Sequence, residues 1–376
     1  MRLAFINNTP PRQQYCKNLY HESKGGGRDS NFELLRLVSM LLILALHANN
    51  QSLGEPTASA TLENPIQMFI RQLFQQLCEV GVDVFVLISG WFGIKPKMIS
   101  FAKLVFQVMF YSVGLFIIMY SLGVRLPILR TIQLFWMGAG YWFVPAYILL
   151  FALSPVLNSF VEHSNQQSVR NFLIVFFSLE LLYGWAFDDF ANFDGGYSAL
   201  SFVGLYVLAR YLKVFKPSVT EWAKHRIIGI FLSICLLGAV ITEISLLSGI
   251  PFLAEHVFGK MHIYTSPFVI IPSVMMILFF SKMKVQSKII NWLAASCFAI
   301  FLIHAHLMVR PYYNMVCRNI FESFSGLSYF AIIISFLLLV AIGCILVDKL
   351  RIACWRAVEN LLFFKNKQIV KNEQQL

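Results

Sequence analysis

Residues 31–50 read NFELLRLVSMLLILALHANN, an apolar run with three ionisable side chains, Glu33, Arg36 and His47. Arg36 and His47 are eleven positions apart, about three helical turns, which places them on one face roughly 16 Å apart along the axis. Glu33 precedes Arg36 by three residues, the spacing of a side-chain pair. Ionisable groups inside a membrane span indicate function. The alternative is that all three anchor the helix ends at the two membrane surfaces.

The composition predicts a membrane protein that crosses the bilayer many times. Of the 376 residues, 58% are hydrophobic and 13% are charged, whereas soluble domains carry about 25% charged residues. Apolar runs of roughly 18–24 residues recur along the chain, which indicates an all-α protein with lipid bilayer around it. The net charge of +11 is spread over several loops rather than one patch, which argues against a nucleic-acid partner.

Ten apolar segments predict ten transmembrane helices. They cover residues 31–50, 77–94, 103–123, 141–161, 170–187, 197–212, 226–249, 264–281, 288–308 and 327–348. With both termini in the cytoplasm, most of the 30 Lys and Arg residues fall on the inner side, as the positive-inside rule requires. The exceptions on the outer side are Arg71, Arg125, Arg130, Lys260, Arg310 and Arg318.

The same pattern divides the chain into three parts. Residues 1–30 are polar and basic with a Gly25–Gly27 break, and we expect a flexible cytoplasmic leader rather than a cleavable signal peptide. Residues 31–350 form the membrane domain, and residues 351–376 form a basic cytoplasmic tail. An acidic loop with Asp188, Asp189 and Asp194 falls outside the membrane, where a solvated loop or a site for a cation or a sugar is expected.

The ionisable residues of the first span suit proton transfer beside an anion-facing cation. A neutral imidazole such as that of His47 accepts and returns a proton near neutral pH. A guanidinium in a low-dielectric site needs a carboxylate or phosphate, and Glu33 is the local partner for Arg36. The predicted topology places Glu33 and Arg36 in the cytoplasmic half of the span and His47 towards the outer half.

Four blocks of sequence resemble the membrane-bound acyltransferase family 3. The first is Glu33-Leu34-Leu35-Arg36 followed by His47, the family's acidic, Leu-Arg and His pattern. The others are GVDVFVLISGWFGI at 81–94, which resembles Gly-x-x-x-Phe-x-x-x-Ser-Gly, Tyr141-Trp142-Phe143 with the following LLFALSP run, and SCFAIFLIH at 296–304. They occur in the family's order and span most of the chain.

The resemblance implies an integral-membrane O-acyltransferase of the cell membrane, inner or plasma, in a bacterium. Such enzymes move an acyl group, usually acetyl, from cytoplasmic acyl-CoA to a hydroxyl of an envelope glycan or its lipid-linked precursor. His47 would be the catalytic base or a transient acyl carrier. Arg36 would orient it or contact the donor, and Glu33 would hold Arg36. Acyl-CoA is a co-substrate, and no tightly bound cofactor is expected.

The family's arginine pair between the second and third spans is absent from this chain. Lys95, Lys97 and Lys103 stand there instead, and lysine meets phosphate as a point charge rather than a bidentate fork. We expect these lysines to contact the donor, or else to be ordinary residues of a positive-inside loop. Further candidates for lining the substrate cavity are Asp83, Ser89, Trp142, Tyr147 and His304.

Two other functional classes fit parts of the pattern. A transporter or flippase would also have ten helices and intramembrane charges, but the two halves show no internal repeat and no paired Gly/Pro-broken spans. A membrane sensor or scaffold would leave Glu33, Arg36 and His47 unexplained. His256 and His262 lie in one outer loop without further ligands, so no metal site is expected.

Overall fold

The structure is a computed structural model of the full chain, and it describes residues 29–135, 141–187 and 191–373. Of residues 255 and 362–373 it describes the backbone alone. Residues 1–28 of the predicted leader and two residues of the acidic loop, Asp188 and Asp189, lie outside the described residues, whereas Ser30 is already part of the first helix.

Within these ranges the fold is helical throughout. The helices are α1 Ser30–Leu53, α2 Ala58–Glu63, α3 Pro65–Phe92, α4 Met98–Ser121, α5 Ile128–Phe135, α6 Phe143–His163, α7 Gln166–Glu180, α8 Ala199–Phe215, α9 Lys224–Leu247, α10 Phe258–Met261, α11 Pro267–Ser281, α12 Lys288–Ala294, α13 Cys297–His304, α14 Arg310–Ser323 and α15 Gly326–Glu373. Helix α7 continues as one turn of π-helix, Leu181–Ala186. The predicted all-α class is confirmed.

Each of the ten predicted segments overlaps one or two of these helices. Seven helices of the described chain are long and apolar enough to cross a membrane, namely α1, α3, α4, α6, α7 with its π-turn, α9 and α15. Helices α8 and α11 are shorter, and the predicted span 288–308 is divided into α12 and α13. The number of spans and the side of the termini therefore stay predictions.

Helix α3 forms the centre of the bundle. It is the most buried of the seven long apolar helices and packs against α1, α8, α9 and α11. It begins at Pro65, whereas the sequence predicted a start at residue 77. The added turns contain Gln72, Gln75 and Gln76, polar residues that are typical of a loop between two spans. In the structure all three are buried. Gln72 donates to Glu243 on α9 at 2.6 Å, and Gln76 donates to the Phe268 carbonyl on α11 at 2.8 Å.

Glycines allow α3 to approach its neighbours closely. A Cβ atom on Gly81 would lie 2.8 Å from Ile43 Cγ1 and 2.9 Å from the Ser39 carbonyl oxygen of α1. A Cβ atom on Gly90 would overlap the Tyr206 carbonyl oxygen of α8 and lie 2.9 Å from Ala209 Cβ. Small residues at such crossings permit backbone contact between helices in membranes. Gly81 and Gly90 therefore set the distance from α3 to α1 and α8.

The turn after α3 is fixed by side chains of α6 and α8. Gly93 adopts a left-handed backbone conformation with φ of 72°. The Ile94 amide donates to the Tyr206 hydroxyl at 2.8 Å, and Asn158 donates to the Ile94 carbonyl at 2.9 Å. The Tyr206 hydroxyl in turn donates to Asn158 Oδ1 at 2.7 Å. These bonds position the start of the lysine-containing loop that follows.

The last helix continues well beyond the final predicted span. Arg351, the first residue of the predicted tail, is buried, and its guanidinium donates to both oxygens of Asp348 at 2.9 and 2.7 Å. Tyr111 of α4 also donates to Asp348 at 2.8 Å. The packed part of α15 therefore extends past residue 350.

Substituting Gly90 by Val tests the close approach of α3 to α8. The valine side chain must push the Tyr206 backbone away, so we expect a loss of about 1–3 kcal/mol of stability. Thermal unfolding of the detergent-solubilised protein measures it. Gly114→Val on α4, where no atom lies within 4 Å of an added Cβ, should change the midpoint much less. Equal midpoints for the two variants would show that the helices do not meet at Gly90.

Candidate active site

The first predicted pair forms as an ion pair in the first turns of α1. Arg36 Nη1 lies 2.5 Å from Glu33 Oε1. The Glu33 side chain is 8% exposed and that of Arg36 is 31% exposed, so the carboxylate is covered while the guanidinium stays accessible. A carboxylate in the first turn of a helix also meets the positive end of the helix dipole. Glu33 is therefore suited to hold Arg36 in place.

The second predicted element, His47, lies three turns farther along the same continuous helix. Its Nδ1 is 2.8 Å from Nε2 of His304, the last residue of α13. His304 Nδ1 is in turn 2.6 Å from the carbonyl oxygen of Ile300. His304 is buried, whereas His47 is half-buried among buried neighbours. The two predicted histidines thus form a hydrogen-bonded pair within the bundle.

The hydrogen-bond partners determine which nitrogen of each neutral ring carries the proton. A carbonyl oxygen only accepts, so Nδ1 of His304 must carry the hydrogen that the Ile300 carbonyl receives. Nε2 of a neutral His304 is then an acceptor, and Nδ1 of His47 must donate to it. Nε2 of His47 is left with a lone pair and no partner among the hydrogen bonds of the described residues. The pair therefore presents one basic nitrogen, His47 Nε2.

Helix α14 closes the site around the histidine pair. The Tyr313 ring centroid lies 5.4 Å from that of His304, and the Tyr313 hydroxyl donates to the Leu44 carbonyl of α1 at 2.7 Å. Tyr313 thus ties α1, α13 and α14 together beside His47.

An aromatic wall connects the histidine pair with α3 and α6. Phe301 lies 6.2 Å from His304 and 6.1 Å from Phe143, measured between ring centroids, and Phe143 stacks on Tyr147 at 5.6 Å. The Tyr147 hydroxyl is 3.2 Å from the Ser89 hydroxyl of α3. Two predicted cavity residues, Ser89 and Tyr147, are therefore in direct contact and belong to the same wall as His304.

Two other predicted cavity residues, Asp83 and Trp142, are not in contact with the His47–His304 pair in the described structure. Gly81 faces α1, so Asp83, two residues later, points away from α1. Asp83 is fully buried and neither carboxyl oxygen has a hydrogen-bond partner among the described atoms. Trp142 stacks on Tyr264 at 5.6 Å and meets Tyr197 edge-on at 4.4 Å. Trp142 borders the aromatic wall through Phe143, which it meets edge-on at 5.9 Å, but neither side chain joins the Ser89–Tyr147 hydrogen bond or the histidine pair.

The three predicted donor lysines lie just beyond the C-terminal end of α3 and in the first turns of α4. Lys95 and Lys97 are exposed in the loop that follows the fixed turn at Ile94, and Lys103 is exposed on α4. Arg210 of α8 lies beside this loop, because its Nη1 is 2.9 Å from the position of a Cβ on Gly93. Arg210 also pairs with Glu162 at 2.8 Å. No local pattern in the sequence associates Arg210 with this loop.

Two contributions to the site were not found from the sequence. The Ile300 carbonyl, which orients His304, is a backbone group four residues earlier on α13. Its partner role follows from the i, i+4 spacing only once His304 is known to face inward. Tyr313 lies in a segment outside the ten predicted spans, and nothing in its local sequence marks it.

The family comparison covers most of the chain. A family model described as an acyltransferase domain matches residues 29–348. The matched range contains Glu33, Arg36, His47 and His304 and most of the helices described above. No curated protein and no solved structure matches the chain. Because the model covers most of its length, the chain belongs to the membrane-bound acyltransferase family 3, and the protein is an acyltransferase.

Proposed function

We propose that the protein is an integral-membrane O-acyltransferase of a bacterial cell membrane. It moves an acyl group, acetyl by the family's usual chemistry, from cytoplasmic acyl-CoA to a hydroxyl of an envelope glycan or its lipid-linked precursor. The observation that carries the proposal is the His47–His304 hydrogen bond of 2.8 Å, which leaves one basic nitrogen on this pair, His47 Nε2, in a family acyltransferase. A hydroxyl acceptor needs such a base, because it is a weak nucleophile until it loses its proton.

The reaction uses His47 Nε2 first as a base and then as an acid. Nε2 takes the proton of the acceptor hydroxyl while the oxygen attacks the thioester carbonyl carbon. The C–S bond then breaks, the ester remains on the acceptor, and the leaving CoA sulfur receives the proton from Nε2. Protons and electron pairs balance without a cofactor, and His47 returns to its starting state.

His304 acts as a positioning residue rather than a substrate contact. Both of its ring nitrogens are engaged within the protein, one with His47 and one with Ile300. When His47 becomes an imidazolium, its Nδ1–H···Nε2 bond to His304 becomes charge-assisted and stronger. His304 is also the last residue of α13, where the helix dipole favours a nearby positive charge. The arrangement resembles a catalytic triad in which a neutral imidazole takes the place of the carboxylate.

The donor enters from the end of the bundle that holds Arg36. The charge pattern of the loops predicts that this is the cytoplasmic end. Lys95, Lys97 and Lys103 would attract the phosphates of CoA there, and the accessible guanidinium of Arg36 would meet the donor next. The helical rise from Arg36 to His47, roughly 16 Å, suits the length of an extended pantetheine arm. Ser89 and Tyr147 would line its path towards His47.

Replacing His47 by Ala should abolish acyl transfer. Loss of a general base lowers the rate by about 10²- to 10⁴-fold. The measurement is transfer of labelled acyl groups from acyl-CoA to glycan in membranes that contain the protein. The control is His225→Ala, which removes an exposed histidine at the start of α9.

Full transfer by the correctly inserted His47 variant would refute the base assignment. Movement of a glycan or a small molecule without any requirement for acyl-CoA would instead support a transporter.

His304→Leu and His304→Gln separate positioning from packing. Leucine removes the acceptor for His47, so kcat should fall about 10- to 100-fold, as for the loss of a charge-assisted hydrogen bond. KM for acyl-CoA should stay unchanged, because His304 does not touch the donor. A glutamine amide oxygen accepts from His47 while its N–H donates towards Ile300, so His304→Gln should retain most of the activity. Wild-type kcat in the leucine variant would contradict the positioning role.

Replacing Lys95 and Lys97 together by Ala should raise the KM for acyl-CoA about tenfold with little change in kcat. The physical reason is the loss of two cations that meet the donor phosphates before the reaction begins. The matched control is the double change of Lys284 and Lys288 to Ala, which removes two exposed lysines from another loop on the predicted inner side. An identical KM in both double variants would remove Lys95 and Lys97 from the donor site.

A further inference from the structure

A cavity of about 620 Å³ lies on the side of the bundle, separate from the histidine pair. It is bounded by α1, the first turns of α3, the end of α14 and the start of α15, and we call it the lateral groove. Ala45, Ala48 and Asn49 are the residues of α1 that line it. His47 points to nearly the opposite side of that helix, since successive residues are about 100° apart. The lateral groove is therefore not the acyl-transfer site.

The walls of the lateral groove are predominantly apolar. They include Ile70 and Phe74 of α3, Phe330 and Ile333 of α15, and Phe324 between α14 and α15. Its volume falls in the range of about 300–1,000 Å³ typical of ligand sites. Several of the wall residues are exposed, among them Ile70 at 45%. The groove thus has the shape and surface that an extended hydrocarbon chain fits.

Arg71 lines this groove, and it has no carboxylate partner among the described side chains. Arg71 Nη2 donates to the carbonyl oxygens of Asn49 and Gly54 at 3.1 and 2.6 Å, and Nε donates to Asn49 Oδ1 at 3.1 Å. Within the described part of the chain, the hydrogen-bond partner of Nη1 is the Met68 sulfur at 3.9 Å, and the guanidinium carbon lies 5.7 Å from the centroid of the Phe321 ring. All these acceptors are neutral, and no carboxylate lies within ion-pair distance of Arg71 among the described side chains. A charge beside an apolar cavity normally has a counter-charge.

Other hydrogen-bond donors share the same end of the groove. Helix α3 begins there with Pro65, Ile66 and Gln67, and the Asn64 side chain makes no capping hydrogen bond to its first turn. Unpaired backbone N–H groups and the helix dipole both favour an anion at this point. Tyr329 also lines the groove. The carboxylate of Glu63, on the exposed rim, is the exception to this positive character.

We propose that the lateral groove binds one anionic phospholipid. An acyl chain lies along the apolar wall, and the phosphate meets Arg71 Nη1 and the first turn of α3. The apolar wall distinguishes this occupant from a free phosphate, and the uncompensated Arg71 distinguishes it from a zwitterionic lipid. The charge pattern of the loops places the site in the outer leaflet. The proposal does not depend on acyl transfer, because the groove lies on the opposite side of α1 from His47.

The test compares lipids of the same chains but different headgroups. The purified protein in detergent is titrated with phosphatidylglycerol, phosphatidylcholine or inorganic phosphate, and the thermal midpoint is followed. A ligand that binds the folded state raises the midpoint with its concentration. We expect phosphatidylglycerol to raise it at concentrations at least about tenfold lower than phosphatidylcholine does. Inorganic phosphate alone should not raise it.

Two variants test whether the preference for phosphatidylglycerol arises at the lateral groove. Arg71→Gln should remove the preference for phosphatidylglycerol, whereas Arg125→Gln, which removes an exposed arginine at another place on the predicted outer side, should keep it. Ile70→Trp fills the groove and leaves the hydrogen bonds of Arg71 in place, so it should weaken the response even if Arg71→Gln does not fold. A wild-type preference in both Arg71→Gln and Ile70→Trp, or equal responses of the wild type to the two lipids, would overturn the proposal.

Discussion

The hydrogen-bonded series from His47 to His304 to the Ile300 carbonyl is the constraint on which the site depends. It joins α1 to α13, two helices more than 200 residues apart in sequence, through a contact of 2.8 Å. Because a carbonyl fixes one end of the series, the protonation of each neutral ring follows from its neighbour. The resulting lone pair on His47 Nε2 is the group that the proposed mechanism uses as a base.

The remainder of the bundle maintains that contact. Gly81 lets α1 pack directly on α3, and Tyr313 holds α14 against α1 at Leu44. The predicted span 288–308 is interrupted at Ala295–Ser296, and the short helix α13 then ends at His304. Ser296 receives a hydrogen bond from Lys349 of α15 at 2.9 Å. The second of the two short helices, α13, brings its final residue to His47.

Local patterns predicted the helices and the Glu33–Arg36 pair, because both depend on residues within a turn of each other. The early start of α3 was missed because Gln72, Gln75 and Gln76 give a soluble-looking pattern, and their burial depends on partners in α9 and α11. His47 and His304 were both predicted as site residues from the sequence, but their contact with each other was not predicted. A hydrogen bond between residues 257 positions apart has no local signal. Asp83, chosen because it lies near the family-like block of the second span, points away from α1, and Trp142 packs on Tyr197 and Tyr264 rather than on the two histidines.

The protonation of the two rings is the most direct test of this account. Nitrogen-15 NMR of the protein labelled at histidine distinguishes the two neutral tautomers, and spectra of His47→Ala and His304→Gln assign the signals. We predict that His47 and His304 are both neutral near pH 7 and that both carry the proton on Nδ1. A proton on Nε2 of neutral His47 would contradict the account. That nitrogen must take the proton of the glycan hydroxyl, and it could not do so if it already carried one.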